Sequence, residues 1–190
     1  MTNLIRTFIA VKIDTGPVLK KMIQHLKGSL DSSGIKWVDV NNMHLTLKFI
    51  GDTMPGQLEQ IISVLKEISG SFPVFSFELD GLGYFRSRGV PKVFFIKINE
   101  NDKLKNLADE INIRLEETGF KREERNFHPH LTIARIKYLK DKQIFYSLTD
   151  KYRSYPFQKV PVENIILYHS ILKSYGPLYK ELAVVRLKEL

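Results

Sequence analysis

One short segment occurs twice in this chain: His44-Leu45-Thr46-Leu47 and, 86 residues later, His130-Leu131-Thr132-Ile133. Both copies read His-aliphatic-Thr-aliphatic, and both lie in runs of β-favouring residues. In an extended strand side chains alternate faces. His44 and Thr46 therefore share one face, with Leu45 and Leu47 on the other, and His130 and Thr132 stand in the same relation to Leu131 and Ile133. Each strand offers a polar pair to a surface and an aliphatic pair to a core.

The surroundings repeat as well. Residues 6–14 read as a strand, and Asp14-Thr15-Gly16-Pro17 as a turn and helix start. Leu19, Ile23, Leu26 and Leu30 then recur at helical spacing over 17–30. Ser32-Ser33-Gly34 breaks the helix, and Trp37-Val38 leads to the first histidine strand, 43–50. A second helix, marked by Leu58, Ile61, Leu65 and Ile68, ends near Gly70. Residues 72–82 are again strand-like. The basic stretch Arg86-Ser87-Arg88-Gly89, within 81–91, is the expected boundary between halves. A strand over 92–99, a helix over 101–118 and the charged run Lys121-Arg122-Glu123-Glu124-Arg125 precede the second histidine strand. A helix over 140–149 and strands over 157–172 and 178–187 complete the chain.

The order strand, helix, strand, helix, strand thus appears twice. Shifting the first strand by the same 86 residues lays Phe8 on Phe94 and Asp14 on Glu100. This predicts an internal duplication, with residues 1–190 forming one two-lobed domain. Lobes related by a pseudo-two-fold axis bring the two His-Thr strands face to face across a central groove, a usual place for a ligand.

Charge narrows the partners. Twenty-nine Lys and Arg against 21 Asp and Glu leave a net charge of +8, which favours nucleic acid, nucleotide or phosphate, although a Lys-rich solvated surface has the same balance. With no cysteine there is no disulfide framework, thiolate metal site or Cys nucleophile. The opening residues lack a signal-peptide pattern and no apolar run reaches membrane-spanning length, so a cytoplasmic protein without a membrane partner is expected.

Two imidazoles suit phosphoryl chemistry. Opening a nucleoside 2′,3′-cyclic phosphate requires a base to take a proton from water and an acid to protonate the departing ribose oxygen. An imidazole titrates near neutrality, so one neutral and one protonated histidine coexist there. Thr46 and Thr132, facing the same way as their histidines, are placed to donate to the nonbridging oxygens. The scheme uses no metal and no cofactor. His128-Pro129-His130 has no Asp or Glu at ligand spacing, so metal binding is not expected there. His25 and His169 are expected in surface or structural roles. Gly51-Asp52-Thr53-Met54-Pro55-Gly56 starts like a P-loop but lacks the Lys and hydroxyl. Gly83-Tyr84-Phe85 and Arg86-Ser87-Arg88 offer aromatic and basic groups to an RNA strand.

These motifs resemble those of the two-histidine phosphoesterases, and most closely the RNA 2′,3′-cyclic phosphodiesterase branch, also called 2′-5′ RNA ligase. The resemblance runs through Arg6-Thr7-Phe8-Ile9, Trp37-Val38, both histidine segments, Leu82-Gly83-Tyr84-Phe85, Ser170-Ile171-Leu172 and Gly176-Pro177-Leu178-Tyr179. It implies an α+β, bilobal fold of duplicated β-α-β-α-β units, two antiparallel sheets flanking a central groove with helices outside. It also implies metal-independent hydrolysis of a terminal 2′,3′-cyclic phosphate to a 2′-phosphate. His44 matches the proton donor and His130 the proton acceptor, a choice that symmetry alone leaves open. Thr46 and Thr132 match the phosphate-binding threonines, and Phe49 and Arg135 match positions near the bound nucleotide. The last two lie five residues after their histidines, the wrong parity for a regular strand, so a bulge or strand end is required.

The expected partner is RNA with a 2′,3′-cyclic phosphate end, tRNA fragments included, acted on by a monomer. Running the site backwards with a 5′-hydroxyl would give ATP-independent 2′-5′ ligation. The alternatives are a phosphodiesterase for a small cyclic nucleotide or ADP-ribose cyclic phosphate, and a non-catalytic RNA-binding module.

Overall fold

The structure, a computed structural model, describes residues 4–31, 33–99, 101–124, 126–174 and 176–189. Ser32 of the expected break, Glu100, matched above to Asp14, and Arg125 of the charged run lie outside the described residues. Chain order is β1 (Ile5–Lys12), α1 (Pro17–Ser29), β2 (Gly34–Trp37), β3 (His44–Thr53), α2 (Leu58–Ser71), β4 (Phe75–Ser87), β5 (Val90–Ile98), α3 (Asp102–Glu117), β6 (His130–Tyr138), α4 (Lys142–Lys151), β7 (Pro156–Val162), β8 (Asn164–Lys173) and β9 (Gly176–Arg186). Two antiparallel sheets result, ordered β3-β1-β8-β9 and β2-β6-β5-β4-β7. Both sheets draw strands from both halves of the chain, since β8 and β9 extend the sheet of β1 while β2 extends that of β6.

Helix starts follow local chemistry. Pro17 occupies the first turn of α1. The Asn101 side chain accepts from the Leu104 amide at 3.0 Å, and Asp141 accepts from that of Ile144 at 2.9 Å. These caps satisfy amides that the first turn leaves unpaired. The aliphatic stripes meet in one buried cluster. Ile9 and Leu45 of the first sheet and Ile96 and Leu131 of the second share it with Ile23 of α1, Ile61 of α2 and Ile111 of α3. Full burial of each such side chain contributes about 1.5–3 kcal/mol relative to exposure.

Two expectations are corrected. The 157–172 run is two strands, with β7 paired to β4 in one sheet and β8 to β1 and β9 in the other. The chain crosses between sheets at Glu163, whose carbonyl accepts from the Leu187 amide at 2.7 Å. Apolar residues continue on both sides of the crossing, so composition gives no sign of it. The Arg86–Gly89 stretch lies within one sheet, as the tight turn of the β4–β5 hairpin. Ser87 pairs with Val90, and Arg88 and Gly89 have φ of 50° and 79°, as hairpin turns of the primed types require.

The second correction concerns register. Thr46 pairs with Ala10 and Thr132 with Phe95, while Lys48 pairs with Ile9 and Ala134 with Phe94. The histidine strands keep the 86-residue spacing, but their neighbours are 85 apart. Phe94 therefore corresponds to Ile9, and Phe8 to Val93. A slip of one residue exchanges the faces of a strand. Ile9 and Phe94 enter the main core, whereas Phe8 joins a separate cluster with Ala10, Ile166 and Tyr168 and reaches the groove.

Candidate active site

Residues of both sheets line one groove of about 1080 Å³, and His44, Thr46, His130 and Thr132 all open into it, each half-buried. Leu45, Leu47, Leu131 and Ile133 point the other way and are buried. The alternation read from the two segments holds over these four residues.

It then breaks at the same place in both strands. Pairing passes from Thr46 to Lys48 across Ala10 and Ile9, skipping Leu47, and from Thr132 to Ala134 across Phe95 and Phe94, skipping Ile133. These are β-bulges. Leu47 and Lys48 are both buried, as are Ile133 and Ala134, and the next residues return to the groove. Phe49, 60% exposed, and Arg135 line it with the histidines. The parity conflict is thus resolved by an extra residue that re-aims the side chain after it, a frequent use of bulges beside active sites.

The two imidazoles are held alike. His44 Nδ1 donates to the carbonyl of Asn42 at 2.7 Å, and His130 Nδ1 donates to the carbonyl of His128 at 2.7 Å. A carbonyl only accepts, so each Nδ1 carries a proton and each Nε2 is left as the titrating atom. A 3₁₀ turn, Val40–Asn42, delivers the Asn42 carbonyl and is itself capped by Asp39, which accepts from the Asn41 amide at 2.8 Å.

Aromatic rings enclose both. Phe8 lies 4.9 Å from the His44 ring and Tyr179 meets it edge-on at 5.0 Å. Phe85 and Phe95 stand 4.9 and 5.2 Å from His130. Phe95 gets there by lying against Gly83, where a Cβ would fall 2.6 Å from its ring. Burial pulls both histidines below the ordinary imidazole pKa, and their carbonyl bonds oppose it. His130 is lowered further by the nearby Arg135 and His128, an influence that His44 lacks. Both environments thus favour the neutral imidazole.

Other expected residues separate. Phe85 enters the groove, but Tyr84 packs on Phe145 and Tyr146. Arg86 donates to the Tyr84 hydroxyl at 2.9 Å and is no part of the groove wall. His128 serves through its backbone carbonyl, and its side chain also lines the groove. His25 is an exposed side chain edge-on to Tyr152 at 6.3 Å. His169 pairs with Thr7 in mid-sheet. Sequence reasoning gives Phe8, Asn42, Phe95 and Tyr179 no role in the site. Their roles rest on register and on a turn, and single-residue identity carries neither. Among the described residues no group of three or more His, Asp or Glu could hold a metal ion, and no helix is long and apolar enough to cross a membrane.

A family model for LigT-like phosphoesterases matches residues 11–95 and again 96–179. The two matches start at Val11 in β1 and at Ile96 in β5, 85 residues apart, the same spacing as the paired strands. An RNA 2′,3′-cyclic phosphodiesterase of Thermotoga maritima is 37% identical over 179 residues, 93% of this chain and 92% of that one. A protein of the same name from Archaeoglobus fulgidus is 34% identical over 179 residues, 94% of this chain and 98% of its own. Among solved structures, a Thermus thermophilus protein superposes with a TM-score of 0.79 at 26% identity, covering 96% of this chain and 97% of that one. E. coli LigT complexed with 3′-AMP shares the fold, with a TM-score of 0.75 at 22% identity over 97% and 99% of the two chains.

Proposed function

We infer that this chain, which belongs to the LigT-like phosphoesterase family, is an RNA 2′,3′-cyclic phosphodiesterase that opens the terminal ring to a 2′-phosphomonoester by the action of two histidines. The observation that carries the chemistry is the matched pair of Nδ1 bonds, which leaves two Nε2 atoms to exchange protons in one groove.

In this reading His130, neutral, takes a proton from water as its oxygen attacks phosphorus. The bond from phosphorus to O3′ breaks, and His44, protonated, gives its proton to that oxygen. The phosphate stays on O2′. Burial works against a protonated His44, and the substrate's own phosphodiester charge restores it, since a neighbouring anion favours imidazolium. Thr46 and Thr132 donate to the nonbridging oxygens, where negative charge grows. Phe49 offers a face to the nucleobase, and Arg135 a cation to the phosphate. A 5′-hydroxyl in the place of water would attack phosphorus in the same way, its proton going to His130 while O3′ leaves with the proton of His44, and form a 2′-5′ linkage without ATP.

The test is turnover of an oligoribonucleotide with a 2′,3′-cyclic phosphate end, such as a tRNA fragment, in excess EDTA, with the position of the product phosphate determined. We expect a 2′-phosphate, and a loss of roughly 100- to 10,000-fold in kcat for His44→Ala and for His130→Ala. Wild-type rates in both variants would refute the assignment.

A further inference from the structure

Tyr179 stands beside His44 in the groove. Carried on β9, it is half-buried and lines the groove. Its ring stands edge-on to His44 at 5.0 Å and to Phe8 at 5.1 Å. Together with His44 it also forms the wall of a small recess of about 170 Å³ that reaches Lys12 and Glu181.

Two guanidiniums act on its hydroxyl: Arg135 from β6 and Arg6 from β1, both groove residues. They draw its pKa down, but burial, the larger effect, pushes it up. The phenol therefore keeps its proton at neutral pH and is a donor. Among the described residues nothing is hydrogen-bonded to that hydroxyl. A protonated hydroxyl in the field of two groove cations suits an anionic acceptor bound in the groove.

The hairpin that carries Tyr179 is tied to the histidine. Asn42 donates from Nδ2 to the Pro177 carbonyl at 3.3 Å, and its own carbonyl accepts from His44. One residue thus sets both the imidazole and the strand that brings the phenol to it. The enclosure of His130 has no counterpart, because Phe85 and Phe95 donate nothing.

Building on the function inferred above, we propose that Tyr179 contacts the substrate: its hydroxyl, in the groove that Arg6 and Arg135 also line, donates to a nonbridging oxygen of the bound phosphate, while its ring holds His44 in the place of the acid. The phenol then marks the leaving-group side of a site whose histidines are otherwise matched.

Tyr179→Phe removes the donor and keeps the ring, and Tyr179→Ala removes both. Inorganic phosphate binding, measured by calorimetry, reads the hydroxyl without turnover. We expect it to weaken about tenfold in Tyr179→Phe, the value of one hydrogen bond to a charged group. On the cyclic-phosphate-ended oligoribonucleotide kcat/KM should fall about 10- to 100-fold. In Tyr179→Ala the alkaline limb of kcat, set by loss of the His44 proton, should also move to higher pH because His44 loses cover, whereas Tyr179→Phe leaves that limb in place. Wild-type phosphate affinity and wild-type kcat/KM in Tyr179→Phe would overturn the contact. Failure of the wild-type protein to open the cyclic phosphate would overturn the enzymatic reading instead, and the phosphate titration would still decide whether the hydroxyl binds an anion.

Discussion

Lys48 donates from its buried ammonium to the backbone carbonyl of Lys121 at 2.9 Å, a bond from the strand of one histidine to the loop that leads into the other. The ammonium also donates to Asn112 Oδ1, and Asn112 in turn bonds the amide and carbonyl of Glu123. The bulge at Leu47 turns Lys48 inward and Phe49 outward, so one irregularity both fastens the loop and furnishes the groove. Burial lowers the Lys48 pKa while Glu123 and Glu116 oppose the shift.

Replacing Lys48 by Met should keep the packing of its stem and lose these bonds. We expect a loss of about 1–3 kcal/mol in urea unfolding. A fall in kcat should accompany it, because the loop supplies the His128 carbonyl that orients His130. Unchanged stability together with unchanged kcat would show that the tie carries neither.

Arg135 offers a test of the base proposed above. Its positive charge disfavours imidazolium at His130, so removing it raises that pKa. In Arg135→Gln the acidic limb of kcat/KM should move to higher pH, and KM should rise with loss of the phosphate contact proposed for this side chain. A limb that stays in place would place the guanidinium too far from His130 to matter.

The two threonines are separable from the histidines. Thr46→Val and Thr132→Val keep the β-branched shape that suits a strand and remove one donor each. Each should lower kcat about 10- to 100-fold, with the pH profile unmoved, because neither touches an imidazole proton. A shifted profile would mean that the hydroxyl acts through its histidine.

Acid should weaken the fold through the same residues. His44 and His130 have pKa values below the 6.5 of a free imidazole, so the unfolded chain takes up the protons first. The stability they allow is complete above about pH 6.5 and declines as pH falls through their folded values. The double variant His44→Gln, His130→Gln should show a smaller loss of melting temperature between neutral and mildly acidic pH than the wild type. Equal losses would place the acid sensitivity elsewhere.

The parts of the site that repeat are legible in the chain. His44, Thr46, His130 and Thr132 follow from period-two alternation, which local sterics impose wherever a strand forms. The helices are legible for a similar reason, since Ile23, Ile61 and Ile111 recur at the helical period. Phe49 and Arg135 reach the groove in the sequence reading only through resemblance, because a bulge reverses parity without a signature in Leu47 or Ile133. Phe8 falls on the wrong partner, since nothing in the residues between Phe8 and His44 tells an 85-residue spacing from an 86-residue one.

By itself the sequence determined that two alike strands would each turn an imidazole and a hydroxyl from a core toward a surface, because that depends on neighbours along the chain. Only the tertiary structure decided that both surfaces are walls of one groove, and which ring, carbonyl and cation attend each histidine. Those depend on the pairing of β3 with β1 and β6 with β5, on the crossing at Glu163 that carries β9 and Tyr179 to His44, and on charge acting through space between residues distant in the chain.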